Sequence, residues 1–278
     1  MIVIPMAGFN GRFTDAGYRQ PKFMLQAFGK SVFAHAVGSF QAYFKTEPFM
    51  FVLRNEHGEA GFVRNEAYKL GIRTGSIVCI HPTRGPAETV QLGLDEMRVR
   101  GYEPLIIFDI GAVRPGYRFP REIPRKADGY LEVFAGGGYH ASFVRPDEDV
   151  PGRVVEAADR ERISNLCCTG LYYFGSADLF RDAYHRRLET FVPRIGRSEL
   201  EIAPLYNTLI ADGRDVRYHL IERDEVTFCD APDAYEAFAG GARPAWTDEA
   251  WTDEAWSPSW SRPWSGRKTV TSIEASRD

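Results

Sequence analysis

The sequence predicts an α/β protein with a mixed, mainly parallel sheet. Three observations predict it. Short apolar runs alternate with segments of helical periodicity through the first part of the chain. Beyond Arg114 the runs crowd together around Gly-rich turns, as antiparallel strands do. The 278 residues are 44% hydrophobic, enough to fill one substantial core.

Each element follows in order. Met1–Met6 is apolar and ends before a glycine loop, which reads as a buried strand. Ser31–Tyr43 is amphipathic and helical, and FMFVL at Phe49–Leu53 is a second strand. A helix over Gly58–Leu70, a strand over Ser76–Ile80 and a helix over Ala87–Arg100 continue the alternation. Pro104–Ile110, PLIIFDI, is the fourth buried strand. Strands are then expected over Tyr130–Phe134, Ala141–Val144, Val154–Ala158, Arg162–Leu166 and Gly170–Phe174. Helices return over Ala177–Leu188 and Glu199–Asp212, and Val216–Ile221 is a late strand. A short helix over Pro232–Phe238 opens with proline in its first turn.

From residue 240 the composition changes. The unit AWTDE occurs twice in tandem, and all five tryptophans lie in this tail. The sequence thus divides into a folded domain, 1–239, and a low-complexity tail, 240–278, expected to be disordered; an aromatic partner-binding peptide is the other reading. The net charge of −4 provides no basic field for nucleic acid. No apolar stretch is long enough to span a membrane, and the N-terminus has no signal-peptide pattern, so a cytoplasmic location is expected. Cys79, Cys167, Cys168 and Cys229 lack CxxC spacing and read as buried reduced thiols.

The chemistry is concentrated after the first strand. Ala7-Gly8-Phe9-Asn10-Gly11 allows backbone amides to approach an anion closely, because glycine has no Cβ and asparagine tolerates positive φ. Arg12 adds a charge-assisted donor, and Lys22 follows the stiff Pro21. A strand ending in an ordinary turn is the plainer reading of the same residues. Neither a GxGxxG fingerprint nor a complete Walker A loop is present.

The stretch PMAGFNGRF…GYRQPKFMLQAFGKSVF resembles the N-terminal signature of sugar-phosphate nucleotidylyltransferases. RGPAET at 84–89, FDIGAVRPG at 108–116, DRERISNLCCTGLYYF at 159–174, SELEIAPLYNTLI and TFCDAPDAYEAF follow in the family's order, over residues 2–238. The likeness is greatest to the branch found in capsule and surface-polysaccharide biosynthesis. It implies a Rossmann-like α/β/α sandwich. It also implies Mg²⁺-dependent transfer of a nucleotidyl group from an NTP to a sugar phosphate, with release of pyrophosphate, by an enzyme that often forms homo-oligomers. By position, Ala7, Gly8, Asn10 and Gly11 line the nucleotide phosphates, Arg12 holds the departing pyrophosphate and Lys22 the α-phosphate. Ala87 and Glu88 face the base or ribose, and Arg160, Thr169 and Gly170 the sugar phosphate.

Three positions depart from the signature. Asn10 replaces a glycine. Pro86 replaces a glutamine that faces the base. Gly111 stands where the metal-binding carboxylate is expected. Asp109, two residues away and on the same face of a strand, is one substitute ligand and Asp230 another. Asp109 also reads as a strand-end cap, and Asp230 as the N-cap of the helix after it. The alternative function is a catalytically impaired homologue that binds nucleotide or sugar phosphate and acts through a partner.

Overall fold

A computed structural model describes residues 1–8, 11–72, 74–124, 126–137, 141–191 and 199–241. Asn10, His140 of the GGGYH loop and the Trp-rich tail beyond 241 therefore lie outside the described residues.

In chain order the elements are β1 (Ile2–Met6), α1 (Gly11–Asp15), β2 (Gln26–Ala27), β3 (Lys30–Ser31), α2 (Val32–Gly38), β4 (Phe49–Leu53), α3 (Glu59–Leu70), β5 (Gly75–Cys79), α4 (Pro86–Glu96), β6 (Leu105–Phe108) and β7 (Ala112–Val113). They continue with β8 (Gly129–Ala135), β9 (Ser142–Pro146), β10 (Val154–Asp159), β11 (Leu166–Phe174), α5 (Ala177–Thr190), α6 (Tyr206–Ala211), β12 (Val216–Ile221), β13 (Thr227–Phe228) and α7 (Pro232–Ala239).

Nine of these strands form one mixed sheet. Strands β5, β4, β1 and β6 run parallel, with Ile2 facing Phe49 on one side and Ile106 on the other. The long strand β11 then lies antiparallel to β6 and to β8, and β12 closes that side parallel to β8. Strands β9 and β10 attach antiparallel beside the first residues of β11.

The period-2 alternation of the strands separates two cores. Val3, Met50, Val52 and Val78 pack with Val90, Leu94, Phe180 and Leu209 of α4, α5 and α6. Ile2, Ile4, Phe49, Phe51 and Leu53 point the other way, onto Phe33, Val37 and Val63 of α2 and α3. The expected α/β sheet with helices on both faces is therefore the architecture found.

Several boundaries differ from expectation for local reasons. Asp109 is not on a strand: β6 stops at Phe108, and a turn follows in which the Ala112 N–H donates to the Asp109 carbonyl at 3.1 Å. Arg162–Leu166 and Gly170–Phe174 are not two strands. Residues 162–165 bend, because the Ser164 hydroxyl both donates to the Val144 carbonyl and accepts the Leu166 N–H, and β11 runs unbroken from 166 to 174. The helix expected from Glu199 starts only at Ala203 as a 3-10 turn, because the Leu200 backbone is already paired with Arg84 and Ala87. Cys167, Cys168 and Cys229 are buried, whereas Cys79 is exposed at the end of edge strand β5.

Candidate active site

The carboxyl ends of the parallel strands β1 and β6 open on the same edge of the sheet, where ligands bind in open α/β folds. β1 delivers Ala7, which is buried, and the exposed Gly8. Neither Gly8 nor Gly11 has a positive φ, and a Cβ at either would meet nothing within 4 Å. The glycines therefore leave open space above the strand end and relieve no backbone strain. Helix α1 carries Arg12 on its exposed side, while Phe13 anchors the turn in the protein.

Lys22 opens a 3-10 turn directly after Pro21. Its neighbour Phe23 is 4% exposed and packs against Phe62, which fixes the base of the lysine side chain. The Lys22 ammonium lies 3.7 Å from Asp109 Oδ1. Burial by itself lowers its pKa, but Asp109 and Asp230 outweigh that and hold it above the ordinary value. The charge of Arg12 reaches both Lys22 and Asp230. For Asp230 burial dominates, so its carboxyl is raised even with Lys22 opposing.

Asp109 and Asp230 reach this point from opposite ends of the sequence through one small device. β7 and β13 pair antiparallel, with Phe228 opposite Ala112 and Thr227 opposite Val113. The Cys229 N–H extends the pairing by donating to the Gly111 carbonyl at 2.7 Å. Asp109 precedes β7 and Asp230 follows β13, so antiparallel pairing brings both to the same end. Asp230 does not cap α7, whose N-cap residue is Ala231.

Gly111 lies between them. A Cβ there would stand 2.7 Å from Asp230 Cβ and 2.8 Å from the Lys22 ammonium. The space a side chain at 111 would need is thus filled by Lys22 and the Asp230 backbone. Asp109 Oδ1 meanwhile accepts the Gly111 N–H at 2.8 Å. Gly170 supports the same turn from β11. It has φ of 89°, its carbonyl accepts the Asp109 N–H, and a Cβ there would lie 3.0 Å from Asp109 Cβ. Only glycine suits that combination.

The remaining expected residues stand as follows. Ala87 is buried and its N–H donates to the Leu200 carbonyl at 2.9 Å. Glu88 is bound by the Arg84 guanidinium and backbone N–H; burial raises its carboxyl, but these bonds prevail and hold it below the ordinary range. Thr169 is fully buried, and its hydroxyl donates to Glu132 at 3.2 Å, beneath the turn. Arg160 adopts φ of 53° and pairs with Asp159 at 3.5 Å and Glu199 at 3.0 Å.

Sequence reasoning missed Glu201. Burial, then Asp159, Glu199 and Asp109, push its carboxyl well above the ordinary range, so the Arg160 group adjoins the Asp109 turn electrostatically. Beside it lies a cavity of about 350 Å³ lined by Asp159, Glu199, Glu201, Arg187 and Asn207. The available signal was the alternation Leu200-Glu201-Ile202, a charge between two buried apolar residues. A cavity of about 530 Å³ lies elsewhere, between Asp128, Asp178 and Asp212. Among the described residues no three His, Cys, Asp or Glu side chains are grouped to hold a metal, and no helix is long and apolar enough to cross a membrane.

No family model and no curated protein matches the chain. Solved structures do. A nucleoside-diphosphate-sugar pyrophosphorylase from Vibrio cholerae RC9 is 46% identical over 86% of this chain and all of its own, with a TM-score of 0.79. The inositol-1-phosphate CTP transferase from T. maritima shares the fold at 17% identity, over 84% of this chain and 89% of its own, with a TM-score of 0.64. A UDP-glucose pyrophosphorylase in complex with UDP-glucose does so at 14% identity, over 86% and 97%, with a TM-score of 0.63.

Proposed function

Because the chain belongs to the sugar-phosphate nucleotidylyltransferase family, we propose that it transfers a nucleotidyl group from an NTP to a sugar phosphate and releases pyrophosphate. The observation that carries this reading is the meeting of Lys22 with Asp109 and Asp230 at the open end of β1 and β6, with Arg12 in charge range. A phosphate oxygen of the sugar phosphate attacks the α-phosphorus in line. The new P–O bond forms as the bond to the β-phosphate oxygen breaks, and pyrophosphate departs.

Charge builds on the phosphoryl oxygens and on the leaving group, and preorganised cations stabilise it. Lys22 stays protonated under its two carboxylates and is near enough to exchange Asp109 for an α-phosphate oxygen. Arg12 takes the pyrophosphate, and Gly8 and Gly11 leave room for the phosphates above the strand end. Arg160 and Glu201 face the sugar phosphate, with Gly170 holding the turn between them and Asp109.

Asp109 and Asp230 suit a hard divalent cation such as Mg²⁺, because both are carboxylates and the charge of both is felt at one point, the Lys22 ammonium. Bound there, Mg²⁺ would supply Lewis-acid neutralisation of phosphate charge. We place the product in capsule or surface-polysaccharide synthesis on the sequence likeness, and the catalytic unit in residues 1–239.

The test is pyrophosphate release with Mg²⁺, the four NTPs plus dTTP, and a panel of sugar 1-phosphates. Lys22→Ala should lower kcat about 10²–10³-fold, the cost of removing one preorganised donor. Asp109→Ala should abolish the response to Mg²⁺. NTP binding without release from any pair would sink the catalytic reading in favour of a binding homologue. A chain ending at Gly241 should keep its release rate; a large loss would show that the tail belongs to the working unit.

A further inference from the structure

The two-stranded device that carries Asp109 and Asp230 has a second end. Antiparallel pairing puts the two aspartates at one end of β7 and β13, and puts Arg114 and the segment Glu225–Val226 at the other. There the Arg114 guanidinium divides between two carboxylates. Its Nε donates to Glu132 Oε1 at 3.1 Å, and its Nη2 lies 3.1 Å from Glu225 Oε1. Glu132 sits on β8 with its side chain 1% exposed, and Glu225 lies just ahead of β13. The Arg114 N–H donates to the Ser39 hydroxyl at 2.9 Å, so backbone and side chain are both fixed. Thr169 also donates to Glu132 Oε1, which links the same staple to Gly170 and hence to the Asp109 turn. The second oxygen, Glu132 Oε2, is buried without a partner among the described residues. Leaving a buried carboxylate oxygen bare costs stability, and a protein keeps such a group only where its other contacts are strong.

We propose that Arg114 is a positioning residue: by joining Glu132 on the main sheet to Glu225 it locks β7 against β13, and so fixes the separation of Asp109 and Asp230. Arginine suits this task because its planar fork engages two carboxylates at set angles, which an ammonium cannot do. The proposal rests on the reading of Asp109 and Asp230 as the cation-holding pair.

The experiment uses the full chain with Glu225→Gln and Arg114→Lys. Glu225→Gln removes the outer arm of the staple but can still accept the Glu222 N–H that Glu225 Oε2 accepts at 2.9 Å, so the local turn is kept. Both variants leave Glu132 facing a cation or an intact arginine, and both should fold. Two readouts are taken: hydrogen exchange of the Cys229 amide, and Mn²⁺ affinity from the electron paramagnetic resonance of free Mn²⁺, with Asp109→Asn alongside. Cys229 exchange should rise severalfold in both variants with little change in Tm, and Mn²⁺ affinity should fall about tenfold, the usual effect of losing an outer partner of a metal site. Cys229 exchange at the wild-type rate in both variants overturns the proposal. So does Mn²⁺ affinity that falls in Asp109→Asn but not in either staple variant. Mn²⁺ binding indifferent to Asp109→Asn overturns the metal reading itself, which is a distinguishable result.

Discussion

Two charge groups with the same ingredients lie back to back in this protein. Lys22 pairs with Asp109 and feels the charge of Asp230, and Arg114 stands between Glu132 and Glu225. They behave differently because of burial and geometry. Lys22 is 3.7 Å from Asp109, whose side chain is 51% exposed. Arg114 holds both partners at 3.1 Å, and Glu132 is 1% exposed. A compact ammonium in a loose pair can leave it for a phosphate at small cost. A forked guanidinium in a dry pair cannot, because the carboxylate left behind has no water to accept it. One group is placed to exchange partners and the other to keep them.

The sharpest way to break this contrast is to remove each cation. Arg114→Ala should cost about 3–5 kcal/mol of stability, the usual result of stranding a buried charge, and urea unfolding measures it. Arg114→Met combined with Glu132→Gln should recover much of that loss. Lys22→Ala should leave the unfolding midpoint nearly unchanged while it lowers kcat. If the two variants were equally stable, the distinction between a reagent and a scaffold would fail.

A smaller effect is expected at Gly111. Introducing Gly111→Asp forces a Cβ against Asp230 and the Lys22 ammonium, and should cost about 1–3 kcal/mol as overpacking does. Pyrophosphate release by that variant should stay below wild type, since Lys22 is displaced. Release above wild type would mean that the site is short of a carboxylate at 111 after all.

The smallest effect is in pH dependence, where both raised values make stability fall as pH rises, Glu132 on the acid side and Lys22 on the alkaline side. The Lys22 pKa is raised above its ordinary 10.5, so its contribution is complete below that value and is lost as pH rises through the folded-state pKa. Burial raises the Glu132 carboxyl above its ordinary 4.5 despite Arg114. Its ionised form therefore costs stability near neutrality, and protonation adds stability as pH falls through the raised value. Urea unfolding should show an alkaline slope that Lys22→Met reduces, and an acid-side gain that Glu132→Gln reduces.

How legible the site was depends on sequence distance. The glycine loop, Arg12 and Lys22 lie within one short signature at the end of a strand that its composition marks, so their place at that strand end could be read directly. Asp109 was found for a partly wrong reason: it reaches Lys22 from a turn beyond the strand, held by Gly170 of β11. Glu201 carries no such mark in the sequence, because Asp159 and Asp109 reach it from elements far along the chain and no local pattern encodes that meeting.

By itself the sequence determined the alternation that builds a two-faced sheet, the strand end that receives the glycine loop, and the family signature. These are local properties, since hydrophobic period, glycine and proline act within a few residues. Tertiary structure alone decided that Lys22 occupies the space beside Gly111, that β7 and β13 bring Asp109 and Asp230 to one end, and that Arg114 ties the other end to Glu132. Those outcomes depend on which segments pack together, and packing excludes a side chain at 111 by contacts from residues 22 and 230 that no window around 111 contains.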